Sequence, residues 1–395
     1  MFFSGQLISL IGTWMQIVAQ GWLVLKLTNS AWMLGVVSFA GYMPIPIIGL
    51  FAGVIVDHVD RRRLVIGTQS LMMLSAFTLA ALTFTHVVRV EYVIALAAIN
   101  GIVSSFDMPG RQAFLVEMVE REDLANGIAL NSMAFNGARA IGPAVAGVLI
   151  AITGIAGCFL LNGISYLAVL WSLFAMDVPR REATRFGNVM LVQMREGLSY
   201  AWHHRPTFYL FVVLAISAGF AMQYSVLIPV FAANVLRQGA RGYGFLLGAQ
   251  GIGAVLGAVL VASTSHNTRH LRMHLIVGLF AMSASIVVFG LSHSFALSIA
   301  AQMINGAGQL SYQASTNTML QLFVADELRG RVMSIYTVSF IGLAPLGSLE
   351  VGYAGAHLGP AMATIICAAI GLAGACLLLS RYKLLTITQN RPQAP

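Results

Sequence analysis

The sequence predicts an all-α integral membrane protein with twelve transmembrane helices in two six-helix, pseudo-symmetric halves. Composition, the sidedness of its cations and a polar stretch near the midpoint carry this reading. Of the 395 residues, 58% are hydrophobic and 9% are charged, against roughly a quarter charged in a soluble protein. Such a chain cannot cover a water-facing surface with ionised groups. A crossing needs about 20 apolar residues, so there is room for about a dozen.

Apolar runs between polar punctuation fall at 4–25, 33–56, 64–85, 92–108, 127–151, 155–176, 207–235, 243–263, 273–291, 295–320, 333–353 and 361–380. The runs are rich in small residues, with 39 Gly in the chain. Helices in lipid gain little from apolar burial, and small residues let their backbones approach. With the N-terminus inside, 17 Lys and Arg fall on the cytoplasmic side, among them Arg61–Arg63, Arg180, Arg181, Arg269 and Arg272. Only four (Lys26, Arg89, Arg237 and Arg241) fall on the other, and Arg139 lies within a span. That asymmetry predicts two cytoplasmic termini. It also accounts for the formal charge of +8 without a nucleic-acid partner. Cys158, Cys367 and Cys376 lie in apolar runs as packing residues, and no metal or cofactor is expected. The opening MFFSGQLISL has neither the basic region nor the cleavage site of a signal peptide. A short cytoplasmic N-terminus, or its loss, is expected.

The polar stretch 177–206 divides six runs from six. The predicted organisation is an N-terminal half (1–176), a cytoplasmic linker (177–206), a C-terminal half (207–380) and a tail (381–395). The linker segment VMLVQMREGLSYAW has helical apolar spacing and is expected to lie along the membrane surface. A weak internal repeat supports two halves. The stretch EREDLANGIALNS before span 5 matches VADELRGRVMSIY before span 11, and GVVSFAGYMPIPIIG in span 2 matches GFLLGAQGIGAVLG in span 8.

Between spans 2 and 3 lies GVIVDHVDRRR, with Gly53, Asp57, Arg61 and Arg62. A glycine at a membrane edge permits close packing. Asp57 at a helix end can accept from Arg donors, and the cations anchor the loop at anionic headgroups. In span 5, GARAIGPAVAG places Gly137, Gly142 and Gly147 where helices could cross, and Pro143 frees a carbonyl one turn earlier. Arg139 lies inside this run; a cation there is costly and needs a polar cavity or a partner. Glu350 in span 11 and Asp107 at the end of span 4 are the candidate counter-charges, neither well matched in depth, so a substrate anion or helix carbonyls remain open. Glu350 is read as the only carboxylate clearly within a span, hence the candidate proton carrier together with Arg139. Trp14, Gln16, Gln20, Asn100, Asn136, Asn162, Tyr224, Gln250, Asn305 and Gln309 are the polar or amphipathic span residues that could line a cavity.

The span 2–3 loop resembles the major facilitator signature at that place, with His58 where an Arg is usual and Asp60 where a Gly is usual. Its Asp-Arg-Arg variant suits the drug and siderophore exporters. The run Gly137–Gly147 resembles the span-5 signature of exporters and antiporters. The stretches PGRQAFLVEMVEREDLANGIALNS and REGLSYAWHHRP are similar to an enterobactin-exporter-like and macrolide-efflux-like subgroup. The resemblance covers essentially the whole chain. It implies a bacterial inner-membrane efflux transporter that moves a small amphipathic molecule (drug, macrolide or siderophore-like) by alternating access, with a proton as coupling ion. It also implies that Asp57 pairs with Arg111 and the start of span 11 to lock the cytoplasmic side. Relatives often carry an Asp in span 1 where this chain has Thr13. A lipid or lysolipid translocator of the same fold is the alternative. No nucleotide-binding run is present, no convergent catalytic set points to an enzyme, and a monomer in the lipid bilayer is expected.

Overall fold

The computed structural model describes residues 2–120, 122–176, 199–265 and 267–385. Its elements are helices: α1 (Phe2–Thr28), α2 (Ala31–Tyr42), α3 (Pro44–His58), α4 (Arg61–Phe84), α5 (Val90–Met118) and α6 (Leu124–Ala175) come first. After the linker follow α7 (Arg205–Gly219), α8 (Gly239–Thr264), α9 (Thr268–Leu291), α10 (Phe295–Phe323), α11 (Asp326–Gly342), α12 (Ala344–His357) and α13 (Pro360–Ser380). The predicted linker helix falls mostly outside the described residues, which take up the chain again at Ser199.

Local chemistry sets the helix ends. Asp60 accepts from the backbone N–H of Arg63 at 3.0 Å and caps α4, and Asn267 caps α9 the same way at 3.0 Å. Each satisfies an N–H with no partner inside the helix. Span 2 is broken into α2 and α3 at Met43, where Pro44 and Pro46 remove two donors. Span 11 is broken at Leu343, two residues before Pro345. Span 7 loses regular α-geometry after Gly219 and runs through a 3-10 turn, Ala221–Leu227. There the backbone of Gly347 presses on the Gly219 carbonyl, leaving no room for a Cβ.

The stretch α6 is two helices that meet at Gly154, whose φ of 76° and ψ of 178° are not helical. The chain reverses there. In a straight helix, residues twelve apart are separated by about 18 Å, whereas the Cys158 sulfur lies 3.9 Å from the Ala146 carbonyl oxygen. Among the described residues, ten helices are long and apolar enough to cross a membrane. The predicted twelve needs two further assignments: Asn126–Ala175 divided at Gly154, and the more polar α10 counted as a crossing.

Within the first half α6 packs on α1 and α4; within the second α10 packs on α8 and α9. Among the described residues, the most extensive contacts between the halves are made by two helix pairs, α2 with α12 and α6 with α8. These pairs are equivalent under the sequence repeat, which relates span 2 to span 8 and span 5 to span 11. Both are close glycine crossings at the end that carries Thr28 and His357. A Cβ on Gly352 would lie 3.0 Å from the Gly35 Cα, and one on Gly244 would lie 2.6 Å from the Gly147 Cα. Gly355 approaches Ala31 at the same end.

Candidate functional site

Where the halves meet, at mid-helix depth, the side chains form a polar network. The Arg139 guanidinium of α6 donates to Gln309 Oε1 of α10 at 3.3 Å. The Gln250 amide of α8 donates to Asn305 Oδ1 at 2.9 Å and to Gln309 Oε1 at 3.4 Å. Asn305 in turn donates to the Met282 carbonyl at 3.3 Å. Gln309 and Gln313 both reach the Met222 sulfur, at 3.4 and 3.5 Å. Local sequence explains the convergence: Gln302, Asn305, Gln309 and Gln313 recur at intervals of three and four, which places them on one face of α10. That pattern was available from the sequence, and it escaped notice for Gln302 and Gln313. Arg139, Gln250, Gln309, Gln313 and Met222 are only half-buried. Arg139 and Gln309 make the bond that crosses the halves, while the other bonds of the network lie within the second half.

Arg139 makes no ion pair among the described residues. Its hydrogen-bond partner is Gln309, and the Tyr42 and Tyr224 rings lie within electrostatic range. Neither predicted counter-charge is used. Glu350 sits on the exposed face of α12 with Leu346 and Tyr353, without a hydrogen bond or ion pair among the described residues. Asp107 is engaged elsewhere, and the predicted end of its helix is corrected. Its polar neighbours suggested that span 4 ends at 108, but α5 continues to Met118, so Asp107 lies 11 residues inside. At 1.5 Å per residue that is about 16 Å from the helix end.

Asp107 is 1% exposed and fully satisfied. It accepts from Thr68 Oγ1 at 2.7 Å and Gln69 Nε2 at 2.9 Å, and it pairs with Arg111 Nε at 2.7 Å. A buried carboxylate with two hydrogen-bond donors from α4 and an ion-pair partner on its own helix ties α4 to α5. Arg111, expected to meet Asp57, is thus held by the carboxylate one turn back on its own helix. A second polar contact inside the first half joins Gln16 to Asn162, whose amide donates to Gln16 Oε1 at 2.6 Å. Gln6 of α1 donates to Asn131 of α6 at 3.1 Å, linking the same two helices further down.

The loop after α3 is pinned to the first half. Arg61 pairs with Glu117 at the end of α5 at 2.8 Å, and Arg62 donates to the Leu173 carbonyl at 2.9 Å. Arg63, the third cation of the run, is mostly exposed beside Asp60. Asp57 is the penultimate residue of α3. Among the described residues no atom lies within 4 Å of an ideal Cβ on Gly53, so the close packing expected there is not made with them.

The remaining predicted residues separate. Gly142 lies against the backbone of Ile11 and the Trp14 Cβ, at 3.1 and 2.6 Å from an ideal Cβ, and Gly147 crosses α8. Among the described residues no atom lies within 4 Å of an ideal Cβ on Gly137, so it makes no close crossing with them. The carbonyl that Pro143 leaves without an N–H partner belongs to Arg139, and it lies 2.9 Å from an ideal Cβ on Gly251. Only a glycine admits that approach. Trp14 stacks edge-on with Phe135 at 6.0 Å. Tyr224 is 1% exposed and donates to Gln302 Oε1 at 2.7 Å, which makes it a packing residue rather than a cavity wall. Gln16 is likewise buried. Asn136 bonds within its own helix, to the Ser132 carbonyl at 2.9 Å. Gln20 has no hydrogen bond among the described residues, and the Asn100 side-chain oxygen is buried without a partner among them.

Residues 1–394 match the family described as transmembrane secretion effector. The staphyloferrin A transporter of Staphylococcus aureus is 26% identical over 354 residues, 88% of this chain and 87% of that protein. The multidrug efflux pump Tap of Mycolicibacterium fortuitum is 28% identical over 356 residues, covering 86% and 85%. Macrolide efflux protein A of Streptococcus pyogenes is 22% identical over 355 residues, covering 87% and 86%. Among solved structures, a POT family transporter in complex with 5-aminolevulinic acid superposes with a TM-score of 0.76 at 12% identity, covering 97% of this chain and 96% of that one. A bacterial homologue of the human lysosomal transporter Spinster, inward-facing and unoccupied, gives 0.68 at 15% identity and covers 97% and 94%. Matched over nearly its whole length, this chain belongs to the transmembrane secretion effector family of major facilitator membrane transporters.

Proposed function

We propose that this chain is a secondary efflux transporter that exports a small amphipathic molecule across a bacterial inner membrane by alternating access, with a proton as the coupling ion. The observation that supports this reading is the Arg139–Gln309 bond that joins the halves, set in a polar network at the middle of long apolar helices. Transporters with repeated halves hold substrate near the bilayer midplane at the repeat interface and rock one half against the other. The cation asymmetry assigns the Thr28 and His357 end to the outside. The two glycine crossings then close the outer face in this state and must part in the other. The names of the relatives (siderophore, multidrug and macrolide carriers) suggest the size and class of cargo.

The test is accumulation of a macrolide and a panel of fluorescent amphipathic compounds, anionic and cationic, in cells lacking their own exporters, with and without this protein. Expression is expected to lower accumulation at least about twofold, and an uncoupler to abolish the difference, since proton return is the only drive proposed. Unchanged accumulation across the panel, with the protein in the membrane, would remove the export reading.

Two variants address the parts of the cycle. Glu350→Gln is expected to remove the pH dependence of transport, because the amide cannot carry a proton; an unaltered pH profile counts against Glu350. Asp57→Asn is expected to abolish transport at normal membrane levels, by loss of the lock that holds the loop in the outward state. Normal transport by that variant rejects the lock.

A further inference from the structure

The cations of the helical bundle differ in how their charge is met. Arg61 has Glu117 and Arg111 has Asp107, at 2.8 and 2.7 Å. Arg62 is taken up by the Leu173 and Phe174 carbonyls at the end of α6. Arg272 lies over the Tyr382 ring at 4.8 Å. Arg139, 15 residues from the start of α6, has only a neutral amide at 3.3 Å. An amide oxygen satisfies one of the five guanidinium N–H donors and none of its charge. Uncompensated cations at mid-membrane are costly and mark ion or substrate paths.

The surroundings are organised to receive an anion there. Gln309 Oε1 already accepts from both Arg139 and Gln250, which orients the guanidinium across the halves. The Tyr42 ring, 44% exposed, lies within electrostatic range, and its hydroxyl is a further donor. No carboxylate within reach of Arg139 is found among the described residues, so a cationic guest would meet like charge there. Met222, a pliable apolar contact beside Gln309 and Gln313, suits the non-polar body of a guest.

We propose that the Arg139–Gln250–Gln309 cluster is the substrate-recognition site and that it takes a carboxylate-bearing, amphipathic anion. A carboxylate would bond the guanidinium in two-pronged fashion, and the amides would supply lateral donors. The assignment rests on the transport reading above for the word substrate, and on the unpaired guanidinium alone for the word anion.

Two dyes that share one xanthene ring, carboxyfluorescein (anionic) and rhodamine 6G (cationic), separate the possibilities. Their binding to the purified full-length protein in detergent is measured by fluorescence anisotropy. Wild type is expected to bind carboxyfluorescein at least about tenfold more tightly than rhodamine 6G, as a charge-assisted pair would give. Arg139→Gln should remove that preference and Arg139→Lys should keep most of it. Gln309→Glu provides an internal carboxylate for the guanidinium, so it should abolish carboxyfluorescein binding without lowering the melting temperature. This arm holds even where Arg139→Gln folds poorly. Equal or tighter binding of rhodamine 6G by wild type overturns the proposal, as does failure to bind either dye. So does unchanged carboxyfluorescein affinity in Gln309→Glu. Anion binding without any change in cellular accumulation would leave the site standing and remove the export reading; export without anion preference would do the reverse.

Discussion

Converting Asp107 to asparagine is expected to destabilise the first half by about 3 kcal/mol or more, the usual cost of removing one partner from a buried ion pair. The change keeps the shape of the side chain but leaves the Arg111 guanidinium, now at 2.7 Å from a carboxylate oxygen, without its counter-charge. It also replaces the oxygen that faces Arg111 with an amide NH2, a donor that cannot accept from the guanidinium, while the oxygen that accepts from Thr68 and Gln69 can remain. Thermal unfolding of purified protein in detergent reads the loss. The double variant Asp107→Asn with Arg111→Gln should recover most of it, because no unpaired charge then remains. A single variant that melts at the wild-type temperature, or a double variant whose losses simply add, would show that the cluster does not hold α4 to α5.

Leucine at Gly147 or Gly244 is expected to reduce transport by an order of magnitude or more, through the conformational equilibrium rather than through substrate contacts. An ideal Cβ at Gly244 lies 2.6 Å from the Gly147 Cα and 2.8 Å from its nitrogen, and one at Gly147 lies 3.0 Å from the Gly244 Cα. These are backbone atoms, which cannot turn aside as a side-chain tip can. Overpacking of this kind costs about 1–3 kcal/mol, and it acts only on the state in which the crossing is made. A two-state equilibrium would move by roughly ten- to a hundredfold toward the outer-open form. With the exposed Cys376 replaced by serine, a reporter cysteine at Gln20 measures the shift through modification by a membrane-impermeant maleimide. Labelling should rise about tenfold if the population follows. Gly67→Leu on α4 serves as the control, since no atom lies within 4 Å of its ideal Cβ. Wild-type labelling and full transport in both crossing variants would dismiss the glycine contacts as a gate.

The boundaries that sequence reasoning placed well are those where solvent chemistry marks them. Asp60 caps α4 just before the predicted start at 64, and Pro360 stands in the first turn of α13 beside the predicted start at 361, whereas the breaks before Pro44 and Pro345 fall inside spans read as whole. It failed where a polar side chain was mistaken for a surface. Asp107, Pro109 and Arg111 suggested an interfacial end for span 4, yet the charges neutralise each other inside a helix that continues to Met118. Linear spacing identifies an i, i+4 pair as possible, but cannot show that Thr68 and Gln69 from another helix complete it.

The candidate site divides along the same line. The sequence alone determined that the chain lies in a membrane, which end of each helix carries the cations, and that a lone Arg139 needs a polar environment. These follow from local properties: the transfer cost of side chains and the periodicity of helices. Only the tertiary structure decided that Arg139 turns to Gln309 rather than to Glu350 or Asp107. It also decided that Gly147, and not Gly137, is the glycine that touches the other half. A partner chosen across 170 residues depends on how two helix bundles are rotated against each other. That rotation is a property of their packed surfaces, in which a single backbone contact outweighs any motif along the chain.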